Sequence, residues 1–97
     1  MFRNWLHGNR DLYLVESADG GANFGNAIKL GNESWAVNGC PMDGGALNVR
    51  ENNIVQTVWR RKDKIYSCEP GKPEKETGEG KGCTLAIVNN QPVYAWI

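Results

Sequence analysis

Ser17-Ala18-Asp19-Gly20-Gly21-Ala22-Asn23-Phe24 is the stretch that decides how the rest of this chain reads. Before it runs Asp11-Leu12-Tyr13-Leu14-Val15-Glu16, whose alternation and aromatic and β-branched content are those of a strand. Asp19 then offers a carboxylate to backbone N–H groups, and Gly20-Gly21 can take φ > 0 without a steric cost, so the chain reverses. Asn26-Ala27-Ile28-Lys29-Leu30 returns as a second strand, completing a hairpin. In this reading Ser17, Asp19 and Gly21 build the turn, and Phe24 packs inward behind it.

The remaining sequence repeats the same economy of short strands and tight turns. After the bulky start Phe2-Arg3-Asn4-Trp5, which reads as the end of a strand, a turn at 7–10 leads into the strand 11–17. The connection 31–45 carries the apolar patch Trp35-Ala36-Val37, expected to pack between sheets, and the irregular loop Asn38-Gly39-Cys40-Pro41-Met42-Asp43-Gly44-Gly45. Strands are expected at 46–50, 54–61 and 64–68, and a shorter one within 74–79, limited by Pro73, Gly78 and Gly80. The run 72–81 interleaves Lys and Glu and reads as a solvated strand and turn. A last hairpin joins 83–88 to 92–97 through Asn89-Asn90-Gln91.

Composition narrows the class further. Ninety-seven residues form one unit, 1–97, and 40% hydrophobic content with four Trp, three Tyr and two Phe supplies a core. Twelve Gly and no long helix-period segment predict an all-β chain. Eleven basic and eleven acidic residues cancel, so neither nucleic acid nor an anionic membrane is an expected partner. No segment approaches the roughly 20 apolar residues of a span, and the amino terminus has no signal-like apolar region. The chain as written is therefore expected in the cytoplasm, with an exported parent protein as the alternative. Cys40, Cys68 and Cys83 are an odd set without CxxC spacing, expected as reduced thiols, and no metal or cofactor is implied. A Cys68–Cys83 bridge would need an oxidising compartment.

The spacing Ser17-x-Asp19-x-Gly21-x-x-Phe24 resembles the Asp-box, the repeat between the outer two strands of blades in sialidase-like, BNR-repeat β-propellers. Phe2-Arg3-Asn4, Asn9-Arg10-Asp11-Leu12-Tyr13-Leu14, the loop at 38–45 and Trp59-Arg60-Arg61 are similar to blade segments of the same family. The resemblance implies four-stranded antiparallel blades, two per chain. One blade spans residues 45–80, and the other is completed from both termini or between subunits. Two blades cannot close a ring, and their open edges and apolar faces call for self-association. The six blades of the family favour a trimer.

Family resemblance also puts Asp-box turns on the rim away from the working face. The opposite face collects Arg3, Trp5, His7, Asn38, Asp43 and Arg60 as candidate ligand-binding residues. Guanidinium groups grip carboxylates and indoles stack on sugars, so a small polar or carbohydrate-like ligand is the expected partner. Arg60 and Arg61 are adjacent in a strand, so only one of them can face such a site. Two alternatives stand beside non-catalytic binding: a sialidase-like glycoside hydrolase, and an interaction module pairing its open blades with another protein. The hydrolase reading is the weaker, because Asn4-Trp5 departs from the family's Ile-Pro after its Phe-Arg, and no tyrosine–glutamate pair is evident. No catalytic residue is assigned.

Overall fold

Residues 54–61 hold the densest β-branched and aromatic run of the chain, and the fold is layered around the strand they form. The computed structural model describes residues 1–37, 39, 41 and 43–97. Among them, β1 (Phe2–Arg3), β2 (Leu12–Leu14) and β3 (Ile28–Lys29) make one antiparallel sheet. A four-stranded meander follows: β4 (Gly45–Arg50), β5 (Ile54–Arg61), β6 (Lys64–Cys68) and β7 (Lys75–Glu79). The last sheet is the hairpin of β8 (Thr84–Val88) and β9 (Gln91–Ala95). The described residues contain no α-helix, only a 3-10 turn at Glu51–Asn53 between β4 and β5.

The turns follow from local chemistry. Asn52 and Asn53 sit at φ 64° and 59°, and Asn89 and Asn90 at 51° and 59°. Asparagine tolerates this left-handed region better than most side chains, so both hairpins close without glycine. Lys62, at φ 59°, closes the short β5–β6 turn with Asp63.

Alternation along β5 sorts its side chains between two neighbours. Val55 and Trp59 join Leu12, Leu14, Leu30, Cys68 and Tyr66 in the core beneath the amino-terminal sheet. From the other face Gln56 meets β9, its Oε1 accepting a bond from the Tyr94 hydroxyl at 3.2 Å. The central sheet is thus covered on both sides, and every residue of 54–61 is buried or half-buried where a half-exposed strand would alternate. The β8–β9 hairpin lies against β4 and β5, and the Trp96 ring lies where a Cβ on Gly78 of β7 would stand.

Several expectations need revision. The amino-terminal strands are shorter than 11–17 and 26–30, covering only Leu12–Leu14 and Ile28–Lys29. Phe24 does not pack inward; it is 62% exposed. Within the chain, the two terminal sheets do not merge into one blade, because they lie on opposite faces of the central sheet and no closed sheet forms among the described residues. The acidic and basic run at 72–81 is not wholly solvated, since the Glu74 side chain is only 6% exposed and pairs with Arg61. Cys68 and Cys83 are free thiols, the first buried and the second half-buried, and Cys40 lies outside the described residues. No helix among the described residues is long and apolar enough to cross a membrane.

Candidate functional site

Antiparallel connection sends the end of β1, the start of β2, the end of β5 and the approaches to β4 and β8 to one side of the molecule. The Ser17–Phe24 turn, which follows the other end of β2, is on the opposite side. Arg3 closes β1 and points toward the central sheet, because its register partner Leu12 is a core residue. Its guanidinium spans three backbone carbonyls: Nη1 donates to Arg10 O at 2.9 Å, and Nη2 to Arg60 O at 3.1 Å and Asp43 O at 3.3 Å. Arg60, near the end of β5, donates from Nε to Asp43 Oδ1 at 3.0 Å and pairs through Nη2 with the same oxygen at 2.8 Å. The other oxygen of Asp43 accepts from Gly82 N at 3.2 Å, tying the approach to β8 into the cluster.

Trp35 forms the floor. Its ring centroid lies 5.5 Å from the Arg3 guanidinium carbon and 5.1 Å from that of Arg60, within range of cation–π attraction. The indole is buried, and its backbone is held at both ends: Trp35 N donates to Asp11 Oδ1 at 2.9 Å, and Trp35 O accepts from Arg10 N at 2.8 Å. Two like charges are brought together here, with Asp43 and the buried Asp11 nearby to offset them. Burial is the main influence on Arg3 and pushes its guanidinium below the ordinary value; Arg60 acts in the same sense, while Asp43 and Asp11 oppose it. The Cys83 thiol, also sensitive to Asp43, is pushed up mainly by burial. Among the described residues Arg3 Nε is buried without a partner, and the Arg60 and Asp43 side chains keep 21% and 19% exposure. The cluster is therefore built into the fold yet still open to solvent.

Arg3, Asp43 and Arg60 are thus brought together as the sequence suggested. Trp5 stands beside them, 59% exposed, with the Arg10 guanidinium 4.4 Å from its ring centroid. It lines an open hollow of about 380 Å³ with Gly8, Ala36 and Val37. His7 does not join the arginines; it sits exposed in the turn closed by Leu6 and Asn9, at φ 53°. Asn38 lies outside the described residues. The sequence marks Trp35 only as a packing residue, and its place under both arginines depends on the path of the 31–44 connection, which carries no periodic signal. No family model matches the chain, nor does any curated protein or solved structure.

The remaining titratable and aromatic groups serve other contacts. Arg61 points away from Arg60 and pairs with Glu74 and Glu33, its guanidinium 4.0 Å from the Tyr66 ring centroid. Tyr13 stacks on Phe2 at 5.8 Å, Tyr66 on Trp59 at 6.4 Å, and Tyr94 reaches Gln56, so each tyrosine is engaged away from the Arg3–Arg60 cluster. Among the described residues no three His, Cys, Asp or Glu side chains gather in a way that could hold a metal ion.

The Ser17–Phe24 turn closes through its own side chains. Asp19 Oδ1 accepts from Ser17 Oγ at 2.8 Å and Asn23 N at 2.9 Å, and Oδ2 from Asn23 Nδ2 at 2.9 Å. Ser17 Oγ accepts from Gly21 N at 2.9 Å. Bonds from the Asn23 backbone and side chain, with that from Ser17, lower the Asp19 carboxyl to about 2. Asn23 was not singled out from the sequence, although it contributes two of the three donors to this carboxylate. The concave side of the turn encloses about 500 Å³, but its acceptors are already used by the turn itself.

Proposed function

We propose that this chain is a non-catalytic module of a sialidase-like β-propeller that binds a small polar or carbohydrate-like ligand bearing a carboxylate. The observation that carries the proposal is the convergence of Arg3 and Arg60 on one buried indole, with Asp43 between them, where three sheets meet. Arg3 is committed to backbone carbonyls and acts as the rigid half of the pair. Arg60 is anchored on one edge by Asp43, so its other edge presents N–H donors in the planar fork that suits a carboxylate. The exposed indole of Trp5 offers a stacking face for a sugar ring nearby. In support of the architecture, a three-stranded sheet, a complete four-stranded meander and an inner hairpin follow one another face to face, as successive blades do.

Titration of the full chain with N-acetylneuraminic acid and, separately, with neutral N-acetylmannosamine tests the assignment. Binding of the acid alone is expected. Arg60→Gln should weaken it about tenfold or more, the scale of a lost charge-assisted hydrogen bond. Equal binding of the two sugars, or an unchanged affinity in a folded Arg60→Gln variant, would refute it. The same reading has copies of the chain associating to close a ring.

A further inference from the structure

The three sheets are stacked with a repeated polarity. Each carries an aromatic residue on or just after a strand: Phe2 on β1, Trp59 within β5 and Trp96 just after β9. Phe2 faces Tyr13 across β1–β2 as Trp59 faces Tyr66 across β5–β6, and both pairs stack. Trp59 points back at the amino-terminal sheet and is covered by its leucines. Trp96 likewise points back, over Gly78 of the central sheet. Phe2 and Tyr13 point back too, away from Leu12 and Leu14 and from the rest of the chain, and Phe2 is left 42% exposed.

The other end of the stack has the complementary lack. Along β8 and β9, Leu85, Ile87, Pro92 and Tyr94 are half-buried toward the central sheet, while Thr84, Ala86, Val88, Gln91, Val93 and Ala95 are exposed on the outer face, the polar pair at its two ends. A strand meant to face water on one side alternates apolar with polar; one covered on both faces is apolar throughout, as this hairpin nearly is. Val88 and Val93 are 52% and 51% exposed. Ala86, Val88, Val93 and Ala95 form a flat apolar surface, and the chain already stacks the aromatic side of one sheet on the next twice, Trp59 with Tyr66 on the amino-terminal leucines and Trp96 on Gly78.

We propose that two copies of this chain dock head to tail, the outer face of the β8–β9 hairpin of one copy against the Phe2–Tyr13 face of the other. The inference rests on the self-association reading above and replaces edge-to-edge merging of terminal strands with face-to-face stacking. Stacked in this way, each copy contributes three sheets. Two copies give six, within the usual range of about 4–8 blades, whereas three copies give nine. A front-to-back contact is heterologous, and a two-copy ring uses it twice, leaving neither apolar face in water.

Solution mass of the full chain and of two surface variants, Phe2→Asp and Val93→Asp, tests this. The wild type should run at twice the 10.8 kDa of one chain. Each variant alone should run as a monomer with an unchanged far-ultraviolet circular dichroism spectrum, since both side chains are exposed. Mixing the two variants should restore a dimer, because one retains an intact front face and the other an intact back face. Val88→Asp serves as a second front-face variant and should behave as Val93→Asp does. A wild-type monomer at all concentrations would overturn self-association and the interface together. An oligomer indifferent to these substitutions, or a trimer, would overturn the face-to-face contact while leaving self-association in place.

Discussion

Replacing Arg61 by methionine should be among the most damaging single changes in this chain. Its side chain is 7% exposed and that of Glu74 is 6% exposed, and they form a direct ion pair. Nη1 of Arg61 also donates to Glu74 Oε1 at 2.9 Å, and Nη2 reaches Glu33 Oε2 at 2.9 Å. Methionine keeps much of the aliphatic volume but leaves Glu74 buried without its cation, a change that costs about 3–5 kcal/mol. A domain of this size holds about 5–15 kcal/mol in all. With a urea slope of about 1 kcal/mol per molar, the unfolding midpoint at neutral pH should fall by roughly 3–5 M, followed through tryptophan fluorescence. The double variant Arg61→Met/Glu74→Met should regain much of the loss, because no uncompensated charge remains and the N–H groups of Asn32 and Glu33 that bonded Glu74 lie in an exposed loop.

Acid supplies an internal check on this reasoning. Burial pushes the Glu74 carboxyl up, but the hydrogen bond from Arg61 and the Asn32 N–H outweigh it and hold the group below its usual value of 4.5. Stabilisation from a depressed carboxylate is complete above that usual value and is lost as pH falls through the folded one. In Arg61→Met the main opposing bond is gone and burial dominates, so the carboxyl can take up a proton at higher pH. The gap in stability between wild type and variant should therefore begin to narrow above pH 4.5, as the variant's carboxyl takes up its proton, and go on narrowing below it as the wild type loses its pairing. A midpoint change under about 1 M at neutral pH, or a gap that widens on acidification, would refute the account of a buried charge left unpaired.

Two further outcomes probe the Ser17–Phe24 turn. Carboxyl NMR should find Asp19 titrating near 2, and Asn23→Ala should bring it back toward ordinary carboxylate values, because Asn23 supplies a side-chain donor and orders its own backbone donor. An unmoved titration in that variant would mean the turn does not depend on Asn23. Phe24→Ser should leave thermal stability within about 0.5 kcal/mol of wild type, as expected for an exposed side chain. A loss of about 3 kcal/mol or more, the cost of truncating a buried aromatic, would return Phe24 to a core.

Much of the architecture is legible in the order of residues because short-range chemistry dictates it. Apolar alternation, Asn pairs that accept left-handed backbone and the Asp19 turn mark the hairpins, and the four-stranded meander lies within a residue or two of its expected bounds. Strand alternation by itself also puts Arg60 and Arg61 on opposite faces. The amino-terminal sheet is less legible: its strands are two or three residues long and leave little periodicity to read.

By itself, the sequence determined an all-β chain of short antiparallel strands, the site of the Asp19 turn, and the arginines and carboxylate worth watching. Tertiary structure alone decided that Trp35 lies beneath both Arg3 and Arg60, that Glu74 is buried against Arg61, and that Phe24 faces water. It also decided that the terminal sheets cover opposite faces of the central one. The physical reason is the range of the forces involved. Turn and strand preferences act over a few residues, whereas the pairing of Asp43 with Arg60 across 17 residues and of Asn32 with Glu74 across 42 depends on how sheets stack. That stacking is set by burial of apolar faces, which specifies that a face is covered without naming, in one dimension, what covers it.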